Sequence, residues 1–231
     1  MREAPIVLGM VLVLCAASFA GVADSESFLE AGSDVAVSAA VALTEAHLGN
    51  LLVMMGILAS TADLKVGMWG GMQDLLSRFE LLPISFNAWF LLPDGSYYKV
   101  ETGLTGSNLA ERTYFPKVMA GETTVGDLVV SKSTGRKSMV MTVPIERNSE
   151  VIGALGATVY LDDFSQQIAD ALALPEGVLF YAYDLDGVIA LHSDVERLME
   201  DASEAGVDPS TSVSAVSSSF GWTFVVGAMS N

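Results

Sequence analysis

The strands and short turns after Pro83 constrain the fold of this chain more than any other feature. Ala88–Leu92 and Tyr97–Val100 are aromatic and apolar runs that flank Pro93-Asp-Gly-Ser96, a turn sequence typical of hairpins. Because strands joined by short turns pair antiparallel, we predict a meander of about five antiparallel strands. The three further strands in this prediction are Thr124–Val130, Lys137–Ile145 and Val151–Leu161.

Two helical segments precede this sheet. Apolar residues recur near helical period from Asp34 to Leu64, which predicts one long helix packed on the protein surface rather than a membrane span. The same pattern recurs from Trp69 to Phe79. Helices followed by an antiparallel sheet give the fold class α+β, with the sheet after a long N-terminal helix. We assign residues 24–82 to the helical segment and residues 83–163 to the first sheet module.

The C-terminal part repeats this order in a shorter form. A connecting helix is predicted at Asp162–Leu174, and the acidic segment Val195–Ala205 is predicted to be a short helix. Residues 164–231 are thus predicted to form a second, abbreviated unit of the same kind. Its predicted strands are Val178–Tyr183, Val188–Leu191, Val213–Ser219 and Trp222–Ala228.

The N-terminus indicates the location of the protein. Residues 6–23 are almost purely apolar and follow Arg2, which is typical of a secretory signal peptide over residues 1–23. The run just reaches the ~17–18 residues of a membrane span, so an uncleaved anchor helix is the alternative. Both interpretations place the protein outside the cytoplasm, secreted, periplasmic or at the cell surface. Cys15, the only cysteine, lies in this run, so the mature chain is expected to form no disulfide.

The net charge of −17 limits the partners of the protein. An acidic surface repels nucleic acid and anionic lipid headgroups and keeps a protein soluble. We therefore expect no nucleic-acid partner, while the bulk charge by itself does not indicate a cationic ligand.

The sequence contains no recognisable catalytic motif. His47 and His192, the two histidines, belong to no metal-ligand spacing, and no serine lies in a Gly-x-Ser-x-Gly elbow. Asp184-Leu-Asp-Gly187 lacks the further ligands of a calcium loop, and no phosphate or dinucleotide fingerprint occurs. We expect no enzyme, no metal and no cofactor. The alternative is a hydrolase that assembles a Ser–His pair in space.

The segment Asn108–Phe115 combines a cation with two aromatic residues in a predicted loop. The guanidinium of Arg112 offers a forked pair of donors that matches a carboxylate. The rings of Tyr114 and Phe115 can exclude water around such a pair, so this loop predicts a small pocket for an anion.

Strand alternation adds residues to this pocket, because polar side chains on a buried face need partners. Tyr97 and Tyr98 point to opposite faces of their strand, so only one can face the pocket, and Tyr98 is assigned to it. Lys132 is expected to be solvated, and Trp89 is expected to pack in the core. On the strand Lys137–Ile145, the face with Ser138, Val140 and Thr142 is assigned to the pocket, and the opposite face with Met139, Met141 and Val143 is assigned to the core. On the strand Val151–Leu161, the face with Thr158 and Tyr160 is assigned to the pocket.

Five motifs in this order resemble a Cache domain, the extracytoplasmic PAS-like sensor module of chemoreceptors and sensor kinases, in its double-module form. The resemblance implies that a ligand lies in the first, membrane-distal module and contacts Arg112, Tyr114 and Phe115. The amino-acid-binding subset has Trp and Tyr in place of the last two, and a carboxylate near the position of Thr158. Since Thr158 cannot pair with an ammonium group, an amino acid is disfavoured and a small carboxylate is favoured. The motifs are Leu92–Tyr98, Asn108–Phe115, Ser131–Lys137, Val143-Pro144 and Gly153–Leu161.

The sequence therefore predicts an exported small-molecule-binding sensory module. It is expected to lack a transmitter domain of its own and to act through a membrane receptor or kinase partner. The alternative is an extracytoplasmic interaction or structural protein with a vestigial pocket. The predicted ligand-binding residues are Arg112, Tyr114, Phe115, Tyr98, Ser138, Val140, Thr142, Thr158 and Tyr160.

Overall fold

A computed structural model describes residues 28–29, 31–132 and 134–230. The predicted signal peptide or anchor at residues 1–23, with Cys15, lies outside the described residues. Three helices then lead into the first sheet: α1 (Ser33–Ala59), α2 (Ala62–Val66) and α3 (Trp69–Phe79).

The break between α1 and α2 corrects the prediction of a single helix as far as Leu64. The hydroxyl of Ser60 donates to the carbonyl oxygen of Ile57 (2.6 Å), and that of Thr61 donates to Leu58 (2.7 Å). Ser and Thr hydroxyls bound to the carbonyls of the preceding turn compete with the helical ladder, so α1 ends here.

α1 is apolar on nearly all sides and joins the two halves of the molecule. By length and composition alone it could cross a membrane. Leu48, Leu51 and Met55 are nevertheless at most 1% exposed, because α1 packs against both sheets. Glu45 of α1 accepts hydrogen bonds from Ser217 Oγ (2.7 Å) and Ser219 N (3.0 Å) in the C-terminal half. The helix therefore packs on the folded unit, as its periodicity predicted.

Six antiparallel strands form the first sheet within the described residues, in the order β3-β2-β1-β6-β5-β4. The hairpin and the three later strands that the sequence predicted are all present. The strands are β1 (Phe86–Leu91), β2 (Ser96–Lys99), β3 (Gly103–Asn108), β4 (Thr124–Val130), β5 (Lys137–Arg147) and β6 (Glu150–Tyr160).

The sheet differs from the predicted meander in two respects. β1 and β6 pair with each other at its centre, from Phe86 opposite Val159 to Leu91 opposite Ala154. Both strands are mostly buried, and only the centre of a sheet covered on both faces shields such strands from water. The edge strand β3 was missed because it contains two glycines and alternates only between half-buried and exposed positions.

The two faces of the first sheet have different covers. Met139, Met141 and Val143 of β5 pack in the main core with residues of α1, as predicted. Val140, between them in sequence, lies on the other face in a smaller apolar cluster with Tyr114 of the short helix α4 (Tyr114–Met119). A cavity opens on this second face.

α5 (Leu161–Leu172) leads directly from β6 into the second sheet, whose strand order is β8-β7-β10-β9. The second sheet thus follows the first as the sequence predicted, in an α+β fold. Its strands are β7 (Val178–Tyr183), β8 (Ile189–His192), β9 (Val213–Val216) and β10 (Thr223–Ala228).

The prediction of a helix at Val195–Ala205 is wrong. The segment forms two short 3₁₀ turns, Val195–Arg197 and Ala202–Glu204, and an aspartate side chain caps the start of each. Between them Met199 has a φ of +62°, which a continuous helix of L-residues excludes.

Candidate ligand-binding cavity

The cavity lies between the first sheet and the loop that precedes α4. Measured as the space open to the centre of a water molecule, its volume is about 40 Å³. Roughly three water molecules fill such a space, so a ligand enclosed here is small. The lining residues are Asn87, Trp89, Tyr97, Lys99, Leu109, Arg112, Tyr114, Val129, Ser131, Lys132, Val140, Thr158 and Tyr160.

Five of the nine predicted site residues come together in this lining. The antiparallel pairing of β5 with β6 brings their contributions side by side, with Val140 opposite Thr158. Tyr114, 2% exposed, anchors the loop over the sheet. The five residues are Arg112, Tyr114, Val140, Thr158 and Tyr160.

Two further predicted residues, Ser138 and Thr142, lie on the cavity face of β5 but outside the lining. Ser138 donates its hydroxyl to the carbonyl oxygen of Arg136 (3.1 Å). The hydroxyl of Thr142 shares a hydrogen bond with that of Thr124 (2.7 Å). Both hydroxyls therefore have partners within the protein.

Phe115 and Tyr98 also lie outside the lining. Phe115 follows Tyr114 in a helical segment, so the two side chains diverge by about 100°. Of the two hairpin tyrosines, Tyr97 and not Tyr98 faces the cavity, which corrects the choice made from the sequence. Tyr98 stacks on Trp69 of α3 on the opposite face, with ring centroids 4.9 Å apart. The alternation was evident in the sequence, but which face meets the helices depends on tertiary packing.

Three cations line the cavity: Arg112, Lys99 and Lys132. Arg112 donates one hydrogen bond to the carbonyl oxygen of Val130 (3.1 Å), and Lys132 Nζ donates to that of Asn108 (3.1 Å). No Asp or Glu is found among the described lining residues, although the chain has 28 acidic and 11 basic residues. The described lining itself therefore carries only positive charge, while Glu80, Glu101 and Asp127 act on lining groups from outside it.

Neither lysine was assigned to the pocket from the sequence. Lys132 is exposed, as expected for a solvated lysine, and its bond to the carbonyl oxygen of Asn108 also places it at the rim of the cavity. Lys99 is 8% exposed and follows Tyr97 by two positions on β2, so both side chains share one face. Assigning Tyr97 to the cavity would have identified Lys99 as well.

Glu80, an acidic residue outside the lining, interacts with Lys99. Glu80 accepts a hydrogen bond from Ala88 N (2.7 Å) and lies in the electrostatic field of Lys99. Burial nevertheless raises the pKa of Glu80, because withdrawal from water outweighs these favourable contacts.

Trp89, expected to be a packing residue, forms part of the cavity floor. Its strand neighbour in β6 is Gly156, and a Cβ atom at position 156 would lie 2.2 Å from the Trp89 ring. Only glycine leaves room for the indole here. Trp89 Nε1 donates to Thr158 Oγ1 (2.8 Å), and since an indole N–H is only a donor, the hydroxyl hydrogen of Thr158 remains available to another acceptor.

Two tyrosine hydroxyls complete the polar lining. Tyr160 donates its hydroxyl to Asn87 Oδ1. Burial raises the pKa of Tyr114 well above its usual range, although the nearby charge of Arg112 opposes the shift. Tyr114 is therefore a neutral hydroxyl at physiological pH and can donate a hydrogen bond.

Neither protein-family models nor curated proteins match this sequence, whereas solved structures match its fold. The ligand-binding domain of the Pseudomonas fluorescens chemoreceptor CtaA in complex with L-valine has a TM-score of 0.69 at 11% identity, covering 89% of this chain and 98% of that one. The V. cholerae histidine kinase DctB sensor domain has a TM-score of 0.68 at 11% identity, with the same coverage of 89% and 98%. The ligand-binding domain of the Campylobacter jejuni chemoreceptor Tlp3 in complex with L-valine has a TM-score of 0.62 at 13% identity. That match covers 88% of this chain and 93% of the Tlp3 domain.

The fold is that of a Cache-type sensory domain. The resemblance noted in the sequence is thereby confirmed for the fold, across almost the whole of the matched domains. In this fold the loop with Arg112 lies over the first sheet, and Arg112 lines the cavity there.

The histidines of this Cache-type fold are engaged by the protein itself. His192 Nε2 donates to the carbonyl oxygen of Ala205 (2.9 Å), and Nδ1 accepts from Asp194 N (2.8 Å), so both ring nitrogens are occupied. Burial lowers the pKa of His192, which keeps the ring neutral. His47 packs edge-on against the Phe164 ring, with centroids 6.0 Å apart. Among the described residues, this geometry offers no support for a hydrolytic Ser–His pair.

Proposed function

We propose that this chain is an extracytoplasmic sensory module that binds a small carboxylate without an ammonium group in the cavity of its first sheet. The observation that carries the proposal is the cavity's charge: three cations and no described acidic residue in the lining of a protein whose net charge is −17. The Cache-type fold supports the sensory role and a location outside the cytoplasm.

The donors around the cavity suit an anion. Arg112 uses one of its N–H groups on Val130 and retains others for a carboxylate, which a guanidinium can bind through two parallel hydrogen bonds. The hydroxyls of Thr158 and Tyr114 add neutral donors. Trp89 and Tyr97 supply apolar surface that excludes water and so strengthens these interactions.

An α-amino acid is a poorer match to the same lining. Its ammonium group would lie among Arg112, Lys99 and Lys132 without a described carboxylate to pair with, and an unpaired buried charge is strongly unfavourable. The L-valine bound by CtaA and by Tlp3 therefore does not transfer to this chain by fold alone. The small volume favours a ligand of acetate or propionate size.

A signalling partner follows from the proposal. Chemoreceptors and histidine kinases contain the domains that this fold matches, so we infer that occupancy is passed to a membrane receptor or kinase. The competing interpretation, an interaction protein with a vestigial pocket, is favoured only by the small cavity volume.

Calorimetric titration with propionate and alanine tests the proposal, because these ligands differ by the ammonium group. We expect propionate to bind and to raise the melting temperature, and alanine to bind far more weakly. Arg112→Gln is expected to weaken propionate binding by about tenfold to a hundredfold, since a hydrogen bond to a charged group contributes about 1.5–3 kcal/mol.

Arg78→Gln is the matched control, because Arg78 forms an exposed ion pair with Asp74 away from the cavity. It should bind propionate as the wild type does. Absence of binding by acetate, propionate and related small carboxylates would support the vestigial pocket, and equal binding by Arg112→Gln would refute the assigned site.

A further inference from the structure

Arg136 lies directly behind one wall of the cavity without lining it. Its guanidinium carbon is 3.9 Å from the centre of the Tyr160 ring, in a cation–π arrangement. Tyr160 lines the cavity and donates its hydroxyl to Asn87, another lining residue. The position of this wall therefore depends on a residue outside the cavity.

The same guanidinium binds the start of α5. Arg136 Nε donates to Asp162 Oδ2 (3.1 Å), and Nη2 donates to Asp162 and lies 2.8 Å from Asp163 Oδ2. Asp163 also accepts a hydrogen bond from Ser85 Oγ (2.6 Å). Burial opposes ionisation of Asp163, but the hydrogen bonds from Ser85 and Arg136 outweigh it and hold the pKa of Asp163 below its usual value. The two carboxylates thus fix the guanidinium on the Tyr160 ring.

The backbone of Arg136 holds the turn between β4 and β5. Its carbonyl oxygen accepts hydrogen bonds from Ser131 N (2.9 Å) and Ser138 Oγ (3.1 Å). Ser131 and Lys132 of this turn line the cavity. One residue therefore contacts both the wall and the rim of the site.

α5 continues this chain of contacts to the second sheet. Ser165, near the start of α5, accepts a hydrogen bond from His192 N (3.3 Å) at the end of β8. Lys137, next to Arg136, donates to the carbonyl oxygen of Glu196 (3.0 Å) in the 3₁₀ turn Val195–Arg197, which follows β8. A displacement of Arg136 and its aspartates therefore acts on a segment that is bonded to the second sheet.

We propose that Arg136 is a positioning residue: it sets the Tyr160 wall for the ligand and couples occupancy of the cavity to α5 and the second sheet. This inference rests on the proposed function. A carboxylate that accepts the Tyr160 hydroxyl competes with Asn87 for it and turns the ring, and the stacked guanidinium moves with the two aspartates. The ligand then favours the arrangement of α5 that accompanies the turned ring.

The chemistry of this contact requires arginine rather than any cation. Lysine keeps the charge but lacks the planar face that stacks on the ring and the fork that binds two carboxylates. A comparable arginine elsewhere, Arg78, pairs with Asp74 at 3.0 Å with both side chains almost three-quarters exposed. Such an exposed pair contributes little to stability and has no cavity residue to position.

Arg136→Lys and Arg136→Gln test the inference, with Arg78→Gln as the matched control. Propionate affinity is measured by calorimetry, and amide hydrogen exchange along α5 and β8 is measured with and without saturating propionate. We expect Arg136→Lys to weaken propionate binding by about fivefold, as loss of a cation–π contact implies, and Arg136→Gln to weaken it more. Both variants should lose the propionate-dependent change in exchange along α5 and β8, which Arg78→Gln should retain.

The double variant Asp162→Asn/Asp163→Asn separates positioning from coupling. The amide oxygens of this variant still accept hydrogen bonds from Arg136 and keep the guanidinium near the ring, but the ion pairs to α5 are lost. Propionate should therefore bind more tightly than it does to Arg136→Gln, while the exchange response of β8 is reduced. If Arg136→Gln does not melt cooperatively, Arg136→Lys and this aspartate variant carry the test.

The outcomes distinguish the two proposals. Propionate affinity and an exchange response in Arg136→Lys equal to those of the wild type would overturn the role of Arg136 and leave the carboxylate site intact. Failure of the wild-type protein to bind any small carboxylate would overturn both.

Discussion

The second sheet unit and the cavity of the first differ in how their polar side chains find hydrogen-bond partners. In the second unit, His192 is fully buried and both of its ring nitrogens bind backbone groups of that unit. In the first unit, Arg112 donates one hydrogen bond to the carbonyl oxygen of Val130 and has further N–H groups. The hydroxyl oxygen of Thr158 accepts from Trp89, so its hydroxyl hydrogen can still be donated to another acceptor. The protein itself satisfies the buried His192, whereas the partly buried Arg112 and Thr158 keep donors available beside a cavity.

This difference shows how one architecture can use polar groups for stability in one place and leave them open to a ligand or water in another. Buried polar groups need partners, and those partners come either from the protein itself or from a ligand or water. A backbone partner, as at His192, fixes the local fold. A donor that faces a cavity, as at Thr158, can instead select a molecule by its charge.

The largest effect is expected from a methyl group at a buried glycine in each sheet. Gly156→Ala would place its Cβ 2.2 Å from the Trp89 ring and force the indole into the cavity. Propionate binding should be lost, and the free energy of unfolding should fall by about 1–3 kcal/mol, as in other overpacked cores. Gly227→Ala, whose Cβ would lie 2.6 Å from Val207 Cγ1 in the second unit, should lower stability but not affinity. Calorimetry and denaturant titration on both variants check this, and equal loss of binding by both would remove the distinction between the units.

A change of charge in the cavity should have the next largest effect. Thr158→Asp places a carboxylate beside the position proposed for the ligand's own carboxylate, so affinity for propionate should fall by about a hundredfold, or about 2.7 kcal/mol, through a like-charge contact. Alanine should bind this variant better than it binds the wild type, because its ammonium group gains a partner. Thr158→Val is the neutral control and should weaken propionate by only about fivefold, the loss of one hydrogen bond. Unchanged selectivity in Thr158→Asp would place the ligand elsewhere.

A smaller effect is expected from pH in the second unit. Burial lowers the pKa of His192 in the folded protein from its ordinary value of 6.5, so the unfolded chain takes up the proton first as the pH falls. The stabilising contribution is thus present above about pH 6.5 and is lost below it, by at most about 1.4 kcal/mol per pH unit. Denaturant unfolding between pH 7.5 and 5.5 should show this slope, and His192→Gln should flatten it.

His47 provides the comparison for this pH dependence. Burial also lowers the pKa of His47, but His47 is only half-buried, so His47→Gln should leave most of the slope in place. A slope that disappears with His47→Gln and persists in His192→Gln would contradict the assignment of the pH response to the second unit.

Much of the fold could be predicted from local patterns. The helical period of α1 and α3, the Pro93–Ser96 turn and the alternation of Met139 with Val140 identify elements and their faces. The exceptions are also physical in origin. The hydroxyls of Ser60 and Thr61 end α1, and the positive φ of Met199 breaks the helix predicted at Val195–Ala205. These two features do not change the spacing of apolar residues, so the sequence pattern did not reveal them.

The candidate site could be predicted only in part. Arg112 and Thr158 were found because their residue types imply chemistry, and both line the cavity. Lys99 and Tyr97 were missed because the alternation of a strand defines two faces without showing which one meets the helices.

The sequence by itself determined the α+β class, the two sheet units, the faces of the strands and the Arg112 loop, because short-range periodicity and turn chemistry act between neighbours in the chain. Only the tertiary structure decided that β1 lies beside β6, that Tyr97 and Lys99 face the cavity, and that Arg136 stands behind Tyr160. These relations join residues far apart in sequence, and they are set by how the most apolar strands and the long helix bury their surfaces together.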